Sequence, residues 1–259
     1  MEAEIGIIGG TSSFPAELLE SRREAKVHTP YGAPSDLITL GEFKGRKVAL
    51  LNRHGRSHTI PPHRINFRAN IFALKSLGCE RILATAAAGS LREDVRPGDI
   101  VIIDQFIDFG KTVHTFYDEG KFFHIGLAHP FCESLRELLV RTGRDLGLRM
   151  HEKGTYLKID GPQLSTRAAS LMYKNHADLI GMTVAPEAAL AREKEMCFST
   201  IATITDYDSW IGMHATLEEI KQVMAKNAEN VRNLLTRALE GAPQQRTCSC
   251  SSALAGAEA

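Results

Sequence analysis

Short apolar runs alternate with amphipathic stretches along most of the chain. The runs at residues 5–8, 81–88, 99–103 and 198–204 have the length and composition of strands buried inside a sheet. The stretches at residues 66–77, 130–146, 186–194 and 217–239 repeat apolar side chains at the three- and four-residue spacing of helices. Such alternation is typical of an α/β domain with a central, largely parallel sheet.

The remaining segments complete this fold prediction. Strands at 37–40 and 47–51 are joined across the glycines of 41–45 as a hairpin, which makes the sheet mixed. A strand at 154–159, a helix at 167–176 and a strand at 179–182 follow, whereas residues 104–129 are expected to form a long loop. We predict one α/β domain over residues 1–240, with a twisted sheet flanked by helices, and a flexible tail over 241–259.

Composition narrows the class of protein. The chain has 259 residues, of which 43% are hydrophobic and 24% charged, as in ordinary globular domains. Lys and Arg (31) balance Asp and Glu (31), so no excess of basic charge favours nucleic acid or an anionic membrane as a partner. The N-terminus has no basic region before its first apolar run, and the apolar runs are far shorter than a membrane span. We therefore expect a cytoplasmic protein.

Residues that follow the predicted strands are the first candidates for a site, because ligands of open α/β sheets bind beyond the carboxyl ends of the strands. These positions carry small residues, two threonines, an arginine and a histidine: Gly9, Gly10, Thr11, Arg53, His54, Ala86, Ala87, Ala88, Gly89, Met182 and Thr183. Free backbone N–H groups and a guanidinium suit an oxyanion such as phosphate. The sequence thus predicts an oxyanion site at this edge.

Two carboxylates follow the last predicted strand. Asp206 and Asp208 lie in the sequence Thr-Asp-Tyr-Asp. A carboxylate can accept a hydrogen bond from an exocyclic amine, and a protonated carboxyl can act as a general acid. The pair could equally cap a helix or form a turn, as the two glycines after the first strand could also do.

Cofactor and metal motifs are missing from the sequence. There is no Walker loop, dinucleotide fingerprint, zinc-protease motif or nucleophile elbow. His54, His58 and His63 have no common zinc spacing and no nearby cysteine to complete a site. We expect neither an organic cofactor nor a metal ion.

Taken in order, these motifs resemble the trimeric-type purine nucleoside phosphorylases, and within them the methylthioadenosine phosphorylase branch. The resemblance runs from residue 5 to about residue 240 and includes the segments 5–11, 53–55, 60–66, 89–92, 97–108, 161–162, 182–187 and 205–208. It implies phosphorolysis of 5′-methylthioadenosine to adenine and 5-methylthioribose 1-phosphate, with inorganic phosphate as co-substrate. It also implies a homotrimer or a hexamer made of two trimers.

The same resemblance implies roles for individual residues. The expected phosphate ligands are Thr11, Arg53, His54, Ala86, Ala87 and Thr183. The expected contacts of the nucleoside are Leu164 and Met182, the aspartates Asp206 and Asp208 on the base, and Leu217, Ile220 and a neighbouring subunit's His124 at the 5′ end. Asp206 and His54 would take part in catalysis.

Three positions depart from the family pattern. Leu164 replaces an aromatic residue that packs on the purine, which weakens stacking on the base; Asn52 replaces a proline, and Ala86 replaces a threonine. They leave open a 6-oxopurine nucleoside phosphorylase or a nucleoside-binding protein with weak turnover. A nucleosidase that uses water is a further alternative, against which the arginine and histidine argue.

The five cysteines are Cys79, Cys132, Cys197, Cys248 and Cys250. In similar archaeal enzymes the second and third lie close enough to pair, and the Cys-Ser-Cys tail is oxidised. The resemblance therefore implies disulfide bonds, although ordinary buried thiols are the alternative.

Overall fold

A computed structural model describes residues 2–9 and 13–259, and these form eleven strands and five α-helices. The strands are β1 (Ile5–Gly9), β2 (Glu20–Ala25), β3 (Ile38–Phe43), β4 (Arg46–Asn52), β5 (Arg81–Ser90), β6 (Ile100–Ile102), β7 (Gln105–Asp108), β8 (Met150–His151), β9 (Thr155–Lys158), β10 (Leu179–Gly181) and β11 (Cys197–Tyr207). The helices are α1 (Phe67–Ser76), α2 (Glu133–Asp145), α3 (Arg167–Tyr173), α4 (Val184–Glu193) and α5 (Leu217–Gly241).

The long strand β5 organises the sheet. Along one side β11 pairs with it in parallel from Arg81 to Ser90. Along the other side β1 pairs in parallel with its first part, and β10 pairs antiparallel with its last two residues. The sheet continues outward through β4, β3 and β2 in one direction and through β9 and β7 in the other. Because parallel pairs predominate over antiparallel ones, the predicted mixed, largely parallel sheet is confirmed.

Two apolar cores cover the two faces of this sheet. Neighbouring residues of β5 point to opposite faces, so Ile82 packs in the core that contains α1 and α4, and Leu83 packs in the core that contains α2 and α5. Both side chains are almost fully buried. A strand covered on both faces carries a continuous apolar run, which is the pattern in the sequence.

Local sequence explains where α1 begins and ends. The Asn66 side chain accepts a hydrogen bond from the N–H of Ala69, which caps the N-terminus. Gly78 follows the last turn with φ of +98°, a conformation that favours glycine. Both ends agree with the predicted helix.

The prediction for residues 104–129 was wrong at its start, because Gln105–Asp108 forms β7 beside β9. This strand has four residues, two of them polar, so it carries no apolar periodicity. The edge strand β2 and the two-residue strand β8 were likewise not predicted, since β2 is almost entirely charged and exposed and β8 is too short.

The last residues contact the domain along much of their length. Arg246 donates a hydrogen bond to the carbonyl of Glu195 and forms an ion pair with Glu80. The backbone N–H of His124 donates to Ala257, and Phe123 and Glu258 form a β-bridge. These contacts join the predicted tail to the domain.

The expected disulfide bonds are not supported, because all five cysteines are free thiols. The Sγ atom of Cys197 lies 3.3 Å from that of Cys248, well beyond the roughly 2.0 Å of a disulfide bond. Among the described residues, no helix is both long and apolar enough to cross a membrane.

Candidate active site

A cavity of about 360 Å³ opens where β4, β5, β10 and β11 end, a volume that suits a nucleoside-sized ligand. Most of the predicted site residues line it: Arg53, His54, Ala86, Ala87, Leu164, Met182, Thr183, Asp206, Asp208, Leu217 and Ile220. They come from six separate segments of the chain, and the sheet topology brings them together. Their individual roles stay predictions.

Arg53 is buried at the floor of the cavity. Its Nε and Nη2 donate to the two carboxylate oxygens of Glu187, at 2.5 and 2.8 Å, and its Nη1 donates to the Thr85 carbonyl at 2.7 Å. A guanidinium has five N–H donors, so two remain for a ligand. Glu187 therefore fixes the plane of the guanidinium and leaves it able to bind an anion.

His54 lies beside Arg53 and is neutral at physiological pH. Burial is the main reason that the pKa of His54 is lowered to about 4; its hydrogen bond to the Ile60 carbonyl opposes this shift, and the positive charges of Arg53 and His58 add to it. Its Nδ1 donates to the Ile60 carbonyl at 2.8 Å, because a carbonyl oxygen can only accept. Nε2 is therefore the unprotonated ring nitrogen, which can accept a proton from a phosphate hydroxyl.

The N-terminus of α4 also reaches the cavity. Thr183 precedes the helix and is buried, its side chain caps no backbone N–H, and its own N–H donates to the Tyr156 hydroxyl at 3.3 Å. A Cβ atom on Gly181 would lie 2.1 Å from that hydroxyl, so only glycine leaves room for Tyr156. The helix dipole adds partial positive charge beside Arg53, which favours an anion.

Asp206 and Asp208 line the same cavity as this anion site. Burial, followed by the neighbouring Asp208 charge, raises the pKa of Asp206, although the Thr205 hydroxyl donates to its Oδ1 at 2.6 Å and opposes the shift. The Oδ2 atom of Asp208 is buried and has no hydrogen-bond partner within the described part of the chain. The raised pKa of Asp206 favours its protonated form, whereas Asp208 has a carboxylate oxygen that is free to accept a hydrogen bond from a ligand.

Small residues keep the cavity open beside the two aspartates. Ala87 is the one exposed position of β5, and it faces the cavity. At Gly89 a Cβ atom would lie 3.6 Å from both Asp206 Oδ2 and the Cβ of Asp208. A larger side chain at either position would occupy part of the cavity.

The cavity lining also includes apolar residues, two of which are exposed. Leu164 and Leu217 are 51% and 76% exposed, whereas Ile220 is half-buried. Exposed leucines at a cavity mouth are typical of a surface that a ligand or another chain covers.

The two remaining predicted site residues are Thr11 and His124. Thr11 lies outside the described residues. His124 is exposed in the segment between β7 and α2, and its ring packs against Phe122. A role for it requires a neighbouring subunit and stays a prediction.

Four residues at the site were not predicted from the sequence as site residues: Glu187, Tyr156, Ser165 and His58. Two of them, His58 and Ser165, line the cavity. Glu187 accepts hydrogen bonds from Arg53, and the Tyr156 hydroxyl accepts one from the Thr183 N–H. The sequence position of Glu187, in the first turn of the helix that follows Met182 and Thr183, could have indicated its role. The buried tyrosine gave no such signal, because it reads as an ordinary core residue.

A larger depression of about 540 Å³ lies elsewhere, beside β2. Its charged lining residues already have ion-pair partners, among them Arg56 with Glu24 and Arg22 with Glu17. Within the described part of the chain, none of its lining side chains has a buried polar atom without a partner, as Asp208 has in the smaller cavity.

Comparisons with known proteins identify the family. The phosphorylase superfamily model matches residues 4–240. S-methyl-5′-thioadenosine phosphorylase of Thermofilum pendens is 51% identical over 98% of this chain and 97% of its own, and that of Nitrosopumilus maritimus is 47% identical over 99% and 98%. The crystal structure of a methylthioadenosine phosphorylase from an antarctic soil metagenomic library superposes with a TM-score of 0.94 at 40% identity and covers 100% of this chain and 93% of its own.

A mutant Schistosoma mansoni adenosine/methylthioadenosine phosphorylase in complex with methylthioadenosine superposes with a TM-score of 0.85 at 34% identity, over 93% of each chain. The family match spans nearly all of the α/β fold, and the sequence identities extend over almost the whole length of the relatives. The chain belongs to the phosphorylase superfamily.

Proposed function

We propose that this protein is a 5′-methylthioadenosine phosphorylase, which cleaves its substrate with inorganic phosphate to adenine and 5-methylthioribose 1-phosphate. The observation that carries the proposal is a pair of dissimilar carboxylates that line the same cavity as an anion site. The relatives of this name, similar over nearly their whole length, support the same activity.

The anion site would hold phosphate below the anomeric carbon. The transition state resembles an oxocarbenium ion, so a phosphate dianion at this position stabilises it electrostatically. Arg53 would contribute its two free N–H donors. Thr183 would contribute its side-chain hydroxyl, which caps no backbone N–H, and the first turn of α4 would contribute backbone N–H groups. The backbone at Ala86 and Ala87 would complete the cradle. His54 would accept a phosphate proton at Nε2.

The aspartates would bind the base. A protonated Asp206 donates to the purine nitrogen N7 as the glycosidic bond breaks, so adenine leaves without a full negative charge. Asp208 accepts from the 6-amino group through its unpartnered Oδ2. A 6-oxopurine would place a second acceptor against that oxygen, which costs more than a missing contact because both groups are desolvated.

The sugar and its 5′ substituent would lie at the apolar end. The backbone of Met182 would contact a ribose hydroxyl, and Leu217 and Ile220 would pack on the methylthio group. Leu164 would cover the base without aromatic stacking. The open mouth supports a homotrimer or hexamer in which a neighbour's His124 closes the site.

The direct test is release of adenine from 5′-methylthioadenosine with and without phosphate. We expect adenine and methylthioribose 1-phosphate only when phosphate is present. Adenine release without phosphate would show a nucleosidase, and no release would show a binding protein; either result would refute the proposal.

Two alanine variants locate the activity in the cavity. Asp206→Ala should reduce turnover at least tenfold, because it removes the proposed acid. Asp145→Ala, an exposed change at the end of α2, is the matched control and should leave turnover unchanged.

A further inference from the structure

Four of the five cysteines meet at one place in the fold, far from the active-site cavity. The Sγ atoms of Cys132, Cys197, Cys248 and Cys250 all lie within 4.8 Å of one another. Cys132 directly precedes α2, Cys197 begins β11, and the other two belong to the C-terminal tail. The fold therefore gathers three separated segments at a single cluster of sulfur atoms.

The spacing of these sulfurs matches a mononuclear metal site. In a tetrahedral zinc site with Zn–S bonds of about 2.3 Å, each pair of sulfurs is about 3.8 Å apart. All pairs here fall under 4.8 Å, and the Cys197–Cys248 pair is 3.3 Å apart. Two disulfide bonds would instead join the sulfurs in pairs at about 2.0 Å.

The surroundings suit a closed structural site. Cys132, Cys197 and Cys250 are at most 4% exposed and lie in the same apolar core. Four thiolates carry two more negative charges than a divalent ion, so a positive group nearby stabilises the complex. Arg192 is close enough to act electrostatically on Cys250, and its buried Nε has no hydrogen-bond partner within the described residues.

We propose that Cys132, Cys197, Cys248 and Cys250 bind one thiophilic divalent metal ion, zinc by preference, in a tetrahedral site that fastens the C-terminal tail to the domain. Four protein ligands leave no open position for substrate, so the metal has a structural role. Binding releases the thiol protons and involves no oxidation.

The location separates this site from catalysis. Cys197 is the first residue of β11 and Asp206 the tenth, so the cluster and the cavity are about 30 Å apart along the strand, at roughly 3.3 Å per residue. The tail continues from the cluster to residues 122–124 of the segment between β7 and α2, where Ala259 and Ala257 form backbone hydrogen bonds. Loss of the metal should therefore loosen the tail and this segment while the phosphate and base sites persist.

The first experiment measures the metal in the full chain, purified without chelator or reductant from cells grown with added zinc. Elemental analysis should find about one zinc per chain, with iron as the measured competitor. Replacement by Co²⁺ should give the intense visible absorption of a tetrahedral cobalt tetrathiolate. Protein that contains no zinc or iron and gains no such absorption with Co²⁺ would overturn the proposal.

A thiol count separates the metal site from disulfide bonds. Denatured in chelator without reductant, the protein should show all five cysteines as free thiols. Fewer than five would show that the cluster is oxidised and would overturn the proposal.

Two matched variants assign the ligands. Cys250→Ala should abolish stoichiometric zinc binding and lower the melting temperature, while phosphorolysis at low temperature is retained. Cys79→Ala removes a buried cysteine outside the cluster and should keep the zinc. Equal zinc content in both variants would exclude Cys250 as a ligand. Since the wild-type zinc content is measured independently of activity, this proposal can fail while the proposed function stands.

Discussion

Replacing Glu187 with glutamine tests whether a buried carboxylate positions the phosphate-binding arginine. Glu187 is fully buried, and both of its oxygens accept hydrogen bonds from Arg53. In Glu187→Gln one oxygen still accepts, but the new NH₂ group faces a guanidinium donor. The change keeps the size of the side chain and removes only its charge and one acceptor.

The expected magnitude follows from this geometry. Disrupting a buried ion pair by altering one partner costs about 3–5 kcal/mol of stability, and retention of one hydrogen bond places Glu187→Gln at the lower end of that range. The two remaining Arg53 donors can then turn away from phosphate. Loss of one charge-assisted hydrogen bond to phosphate costs about 1.5–3 kcal/mol, which corresponds to a rise of the phosphate KM by roughly 10- to 150-fold.

The assay is initial rate against phosphate concentration at saturating 5′-methylthioadenosine, together with the melting temperature. Glu193→Gln is the matched control on the same helix, because its carboxylate accepts two hydrogen bonds, from Thr115 and Phe116, outside the cavity. We expect the phosphate KM to rise only in Glu187→Gln. A lowered melting temperature with an unchanged phosphate KM would show that the Arg53–Glu187 pair is purely structural.

Three further predictions concern protonation, the 5′ pocket and assembly. Because the pKa of His54 in the folded state is lowered to about 4, the protein should lose stability as the pH falls from about 6.5 toward 4. Between pH 7 and pH 5, the free energy of unfolding measured in urea should fall by about 1 kcal/mol more in the wild type than in His54→Gln, a value reduced for the partial exposure of the ring. An equal fall in both proteins would contradict this prediction. Leu217→Ser should reduce the ratio of kcat/KM for methylthioadenosine to kcat/KM for adenosine by roughly fivefold, because about 1 kcal/mol of apolar contact with the methylthio group is lost. If Leu217 does not contact the substrate, this ratio should be the same in the variant and the wild type. Light scattering should give a trimer or hexamer, and His124→Ala should raise the methylthioadenosine KM; a monomer would refute both.

The sequence predicted the cavity well because its residues follow strands. Arg53, Thr183 and Asp206 each come directly after or at the end of a buried apolar run, and the topology of a parallel sheet brings such ends together. No side-chain geometry is needed for that inference. The strands β2 and β7 could not be predicted in this way. The first is charged and the second is short, so neither has an apolar pattern in the sequence.

The features that depend on distant partners could not be predicted. The role of Glu187 depends on a hydrogen bond across 134 positions of sequence, and the free oxygen of Asp208 depends on what the fold leaves unpaired. The cysteines show the same limit. Their spacing gave no metal motif, because Cys132 and Cys197 lie far in sequence from the tail that meets them.

The choice of base tests most directly whether the two carboxylates recognise a 6-aminopurine. The measurement is the ratio of kcat/KM for 5′-methylthioadenosine to that for 5′-methylthioinosine, in wild type and in Asp208→Asn. We predict a wild-type ratio of roughly 100, because opposing two buried acceptors costs about 3 kcal/mol. The ratio should fall at least tenfold in Asp208→Asn, whose amide can donate to a 6-oxo group. The same ratio in both proteins would mean that Asp208 does not recognise the base.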